Sequence, residues 1–114
     1  MDTPRLVDVF RSLPTAAQIE ALVRLAYELT MVARDTYEAS SLELRHPQRL
    51  RCLNEIQHRV AGHVLALLTA DPERYPDDVL ASMILEQDDP ELRRQVTAAF
   101  ARSLSQQAVV SHGI

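Results

Sequence analysis

An all-α fold, a compact helical bundle of three longer and two short helices, is what this 114-residue sequence predicts, and three observations predict it. Ala, Leu, Arg, Glu and Gln dominate, while alternating runs of Val, Ile, Thr and aromatic residues are few, a composition that favours helix over strand. Apolar residues recur at spacings of three and four along most of the chain, the period of a buried helical face. Six prolines punctuate the chain into helix-length pieces.

The first helix is short. Thr3 caps it, Pro4 suits its first position, and Leu6, Val9, Phe10 and Leu13 form an apolar stripe before Pro14, so it reads as a lid on the bundle. Thr15 then caps a long helix to about Glu38. Ile19, Leu22, Val23, Ala26, Leu29, Thr30, Ala33 and Tyr37 share one face of it, opposite a stripe of Glu20, Arg24, Glu28 and Asp35. The stretch from Ala39 to Arg45 breaks the pattern, and Pro47 favours an extended His46 before a third helix that runs to about Ala70. Its expected apolar face is Leu50, Leu53, Gln57, Val60, Val64, Leu67 and Leu68, which makes it the expected central helix.

The acidic, proline-rich run DPERYPDD reverses the chain, and a short helix carries Val79, Leu80, Met83, Ile84 and Leu85. Asp89 is then a good N-cap, with Pro90 and Glu91 in the first turn of a last helix bearing Leu92, Val96, Phe100 and Leu104. Residues 1–107 are expected to form a single domain, and 108–114, where periodicity is lost, a flexible tail.

Composition removes several function classes. Two glycines cannot build a phosphate-cradling loop, a dinucleotide fingerprint or a nucleophile elbow. Cys52 is the single cysteine, so there is no intrachain disulfide and no cysteine-based zinc site, which fits a reducing cytoplasm. The start, MDTPRLVDVF, lacks the basic and apolar character of a signal peptide, and no apolar run approaches the roughly 20 residues of a membrane span. All twelve basic residues are Arg, the bias of a GC-rich, bacterial coding sequence. A net charge of −4 offers no general attraction for a phosphate backbone, so nucleic-acid binding is not expected. Charge is nonetheless uneven: Arg45, Arg49, Arg51 and Arg59 gather around the third helix, while Asp71 to Glu91 holds eight acids against one Arg.

Polar residues within the apolar faces are the candidate site. With the second and third helices antiparallel, Thr30, Arg34 and Tyr37 of one come level with Asn54, Gln57 and His58 of the other, and a polar seam between the helices is expected. Such a seam can fix helix register through satisfied hydrogen bonds, or it can hold a small polar or anionic ligand beside Arg34. Glu55 and His58 form an E-x-x-H pair of the kind a di-iron bundle uses, but the second copy, Glu43 to His46, is broken by Pro47. No metal site is expected. His58 and His63 lie five residues apart, about 140° around a helix, and cannot chelate one ion together. Gly62, Ala66 and Ala70 make a flat small-residue strip where a helix of this chain or of a second subunit can approach closely.

The stretch Leu29-Thr30, Ala33-Arg34, Tyr37, followed by Leu53-Asn54-Glu55-Ile56-Gln57-His58-Arg59, resembles a pattern shared by small uncharacterised helical proteins of bacteria. The resemblance covers about the middle third of the chain and brings no activity with it. With no recognisable catalytic arrangement, the expected function is that of a non-enzymatic helical interaction protein, without cofactor, that binds another protein or itself as a homodimer. The alternative is a small-molecule binding bundle that uses Arg34, Asn54, Gln57 and His58.

Overall fold

The computed structural model describes residues 3–39, 45–69 and 87–112, and the described residues form four α-helices with no strand. They are α1 (Thr3–Ser12), α2 (Thr15–Ala39), α3 (Arg45–Leu68) and α4 (Pro90–His112). The short helix expected around Val79 to Leu85, and the turn at 71–78, lie outside the described residues. The all-α class holds.

Helix ends follow their local chemistry, with three departures from expectation. Between α1 and α2 the first bond of the new helix runs from Gln18 N–H to the Pro14 carbonyl at 2.9 Å, so Pro14 takes the cap position and Thr15 the first turn. Gln18 also reaches back, and its side-chain amide donates at 3.1 Å to the Phe10 carbonyl, which also accepts from Leu13 N–H at 3.1 Å at the end of α1. α3 starts at Arg45, two residues earlier than expected, and places Pro47 in the first turn, where a missing N–H removes no helical bond. α4 continues to His112, past Gln107, where an aperiodic tail is expected. Extending an existing helix is favourable for ordinary residues even without a buried face, and no glycine or proline intervenes before Gly113.

α2 is the central element. It packs against both α3 and α4, whereas the sequence points to the third helix as the centre, and α1 packs against α4. The ion pair between Arg49 and Asp89 joins the starts of α3 and α4, while Glu28 of α2 meets Arg102 far along α4. Both α3 and α4 therefore run against α2.

The core is contributed by every helix. Leu6, Val7 and Phe10 come from α1, Leu22, Leu25 and Leu29 from α2, Leu53, Ile56 and Val60 from α3. α4 adds the predicted Leu92, Val96, Phe100 and Leu104, widened by Ala99. Buried His63 of α3 packs its ring 5.9 Å from that of Phe10, which in turn lies 6.1 Å from Phe100, both pairs tilted. The lid helix is thus seated by an aromatic contact on both sides.

In α2 and α3 the buried face differs from the expected one by roughly a quarter turn, in the same sense on each helix. On α2 the core stripe runs through Ala21, Leu22, Leu25, Leu29 and Thr36, leaving Val23, Thr30 and Tyr37 exposed. On α3 it takes in Ile56 and His63 and leaves Leu68 exposed. Each helix carries two adjacent apolar stripes. Periodicity alone cannot choose between them, and the position of α4 behind α2 does.

Candidate functional site

The rotation moves the expected polar seam from the interior to the rim. Gln57 remains partly buried, and its amide donates to the Thr30 hydroxyl at 2.7 Å and to the Ala26 carbonyl at 3.2 Å. The Thr30 hydroxyl donates to the same carbonyl at 2.9 Å. These three bonds are the realised part of the seam, and they fix the register of α3 on α2. Arg34, Tyr37, Asn54 and His58 are exposed rather than enclosed between the helices. Arg34 makes a loose contact with neighbouring Asp35, Nε to Oδ1 at 3.9 Å.

Helical phase places the exposed residues on one side of the hairpin. Rotation from the core stripe passes Ala26 and Thr30 on α2, or Gln57 on α3, where the helices touch, and then comes out on the solvent side. Because the helices are antiparallel, the same sense of rotation on each leads to the same outer face. Val23, Tyr27, Thr30, Arg34 and Tyr37 of α2 follow one another at alternating steps of four and three, and all are exposed. Asn54, His58, Ala61, Leu65 and Leu68 of α3 repeat that spacing, and all are exposed too. This is the heptad pattern of helices that pack on other helices.

Within that face Val23, Tyr27, Tyr37, Leu65 and Leu68 are each more than half exposed, five of the six large exposed hydrophobic residues of the described chain. The depression bounded by Asn54, Glu55, Gln57, His58 and Arg59 is open to solvent, a shallow part of the face. The Arg24 guanidinium lies 5.8 Å from the centre of the Tyr27 ring on the outer edge.

The small-residue strip is divided. Ala66 is buried within the chain, one turn beyond His63, and is unavailable to a second subunit; Gly62 is half-buried, and Ala70 lies outside the described residues. The strip therefore serves intrachain packing where it can be seen. Among the described residues no three His, Cys, Asp or Glu side chains gather, and Glu55 and His58 of the E-x-x-H pair both face solvent. No described helix is long and apolar enough to cross a membrane.

A junction not anticipated from sequence lies at the opposite end of α3. Asp89 caps α4, its Oδ1 accepting from Glu91 N–H at 3.0 Å and from Leu92 N–H at 3.4 Å, while Arg49 donates through Nε and Nη2 to the two carboxylate oxygens. The cap is legible in the sequence; the ion pair, spanning forty residues, is not. Burial pushes the Asp89 carboxyl upward, but the Arg49 hydrogen bond and charge and the two backbone donors outweigh it and hold the pKa below its ordinary value. A carboxyl lowered in the folded state contributes stability above about pH 3.9, and that contribution is lost as the pH falls below this value. Asp89→Ala accordingly costs about 1 to 2 kcal/mol at neutral pH, and the difference from the parent narrows below about pH 4. Urea denaturation at pH 7 and pH 3 measures both; a difference unchanged between them refutes the role of the charge.

Comparison with known proteins finds no matching family model, no similar curated protein and no similar solved structure. What the fold and the face define is a class: a small helical bundle that, among the described residues, exposes a two-helix face.

Proposed function

We propose that this chain is a non-enzymatic interaction protein of the cytoplasm whose α2–α3 outer face binds a helical partner, either another protein or a second copy of itself. One observation carries the reading: the exposed apolar side chains Val23, Tyr27 and Tyr37 of α2 and Leu65 and Leu68 of α3 lie on the same side of two adjacent antiparallel helices. A helix laid along such a face meets apolar anchors at Val23, Tyr27, Leu65 and Leu68 toward one end and Tyr37 toward the other, as in helix-in-groove complexes. Tyr27, Tyr37 and Arg34 are of the residue types that dominate binding energy when covered.

The alternative of a small polar or anionic ligand at Arg34, Asn54, Gln57 and His58 has less support. These groups lie on an open surface, and a small ligand gains affinity from enclosure. Gln57 also commits its amide N–H groups to Thr30 and Ala26.

The test is photocrosslinking in the native cells. A photoreactive residue in place of Tyr27 or Leu65 is expected to give discrete crosslinked products, and one in place of Ser12 or Asp88, exposed elsewhere, is expected to give none. Products of equal yield from all four positions, or from none, reject the assignment of the face.

A further inference from the structure

We propose that the partner on the α2 stripe is a second copy of this chain, its α2 antiparallel to the first and the two-fold axis at Thr30. The inference rests on the reading of the face as an interaction surface and specifies its occupant. The order of residues along the stripe supports it. Val23 lies seven residues before Thr30 and Tyr37 seven after; Tyr27 lies three before and Arg34 four after. With a rise of about 1.5 Å per residue, antiparallel pairing about Thr30 sets Val23 on the partner's Tyr37 and Tyr27 on the partner's Arg34. An aliphatic side chain then meets an aromatic one, and a guanidinium meets a phenol ring, at both ends of the contact.

Charge selects the same arrangement. Arg24 lies six residues before Thr30, Asp35 five after and Glu38 eight after, all exposed and all on the outer flank of the stripe, away from α3. In an antiparallel pair like flanks meet, so each Arg24 comes level with the partner's Asp35 and Glu38. A parallel pair would instead set Arg34 against Arg34 in the seam and turn Arg24 toward the partner's opposite flank, where Ala26 and Ala33 offer no charge. On the other flank α3 stands beside Ala26 and Thr30, so the antiparallel pair also brings the α3 of one copy beside the α3 of the other. The contact is isologous: one patch serves both subunits, and pairing closes at two.

The single chain also leaves the charged groups of this stripe with weak partners. Arg34 has a 3.9 Å contact with Asp35, both side chains largely in water, and Arg24 lies beside Tyr27 on the same helix. Pairing gives Arg24 the partner's Asp35 and Glu38 at the rim of the contact.

Charge reversal with rescue tests the proposal. Sedimentation velocity from about 1 to about 200 µM is expected to show a monomer–dimer equilibrium for the parent chain. Arg24→Glu is expected to weaken the dimer about tenfold or more, as is the double variant Asp35→Arg with Glu38→Arg. The three changes together restore opposite charges across the axis and are expected to bring the dimer back to within a few-fold of the parent. All three positions are exposed, and helical circular dichroism of each variant checks that the fold is retained.

A parent that stays monomeric over the whole range overturns the proposal, and so does a dimer indifferent to the single reversals or not regained in the combined variant. The photocrosslinking described above separates this failure from that of the broader reading. A monomeric parent whose Tyr27 crosslinks to a different protein rejects the second copy and leaves the interaction face standing; a monomer without crosslinks rejects both.

Discussion

Val60→Asp abolishes cooperative folding at neutral pH. Val60 is fully buried in the core formed with Leu53 and Ile56 of its own helix and the apolar faces of the other three. The substitution removes that packing and brings a carboxylate in among the apolar side chains of the core. An ionised group in such a place costs several times what a buried neutral polar group costs, about 1 to 3 kcal/mol, and a domain of this size holds only about 5 to 15 kcal/mol in all. The loss therefore reaches the scale of the total stability. The variant is expected to lose its far-UV helical signal and its sigmoidal urea transition.

The pH dependence of that loss gives a second check. Burial raises the pKa of the introduced carboxyl above the unfolded value of about 3.9, so the folded chain retains the proton where the unfolded chain releases it. Its penalty, measured as the difference from the parent, is smallest below about pH 4 and grows as the pH rises toward the folded pKa. This slope is opposite to that contributed by Asp89, which is why the difference rather than the raw stability must be followed. Val60→Asn supplies the uncharged control and is expected to show no such slope. A folded Val60→Asp chain at pH 7 would mean that α3 does not bury this face.

Phe100→Ala has the next largest effect, a loss of about 3 to 5 kcal/mol. Phe100 is fully buried and tilted at 53° to the Phe10 ring, which also meets His63. The deletion leaves a cavity at the point where α1, α3 and α4 come together, and it removes an aromatic pair worth about 0.5 to 1.5 kcal/mol beyond its area. α1 feels this most. A ten-residue helix is not stable alone in water, and α1 depends on Leu6, Val7 and Phe10 for its seat. Hydrogen exchange in the variant is expected to show α1 losing protection before α2, with urea denaturation giving the overall loss. A double-mutant cycle with Phe10→Ala isolates the pair itself, and additivity of the two losses would place α1 elsewhere. A cost below about 1 kcal/mol would carry the same message.

Much of the local structure is legible in single stretches of chain. Asp89 followed by Pro90 and Glu91 announces a helix start because a short carboxylate, a ring with fixed φ and a second acid each suit one position there. The stripe of Leu92, Val96, Phe100 and Leu104 was readable as the buried face of α4 because that helix has one apolar side only. Of the residues grouped as a polar seam, Thr30 and Gln57 meet, since an antiparallel hairpin and helical pitch suffice to align them. The exposure of the others was not readable. Val23 and Leu25 are equally apolar as letters, and which of them is covered depends on where α4 lies, information that resides in another part of the chain.

The sequence by itself determined the helical class, the Asp89 cap and the alignment of α2 with α3. These depend on bonds and contacts between residues a few positions apart, or across one tight hairpin. The tertiary structure alone decided that α2 is central, that α3 and α4 both run against it, that Arg49 pairs with Asp89, and that the heptad stripes of α2 and α3 face outward. Each of these depends on packing between segments far apart in the chain. Hydrophobic burial sets no direction of its own, so a helix with two apolar sides takes its inner face from its neighbours.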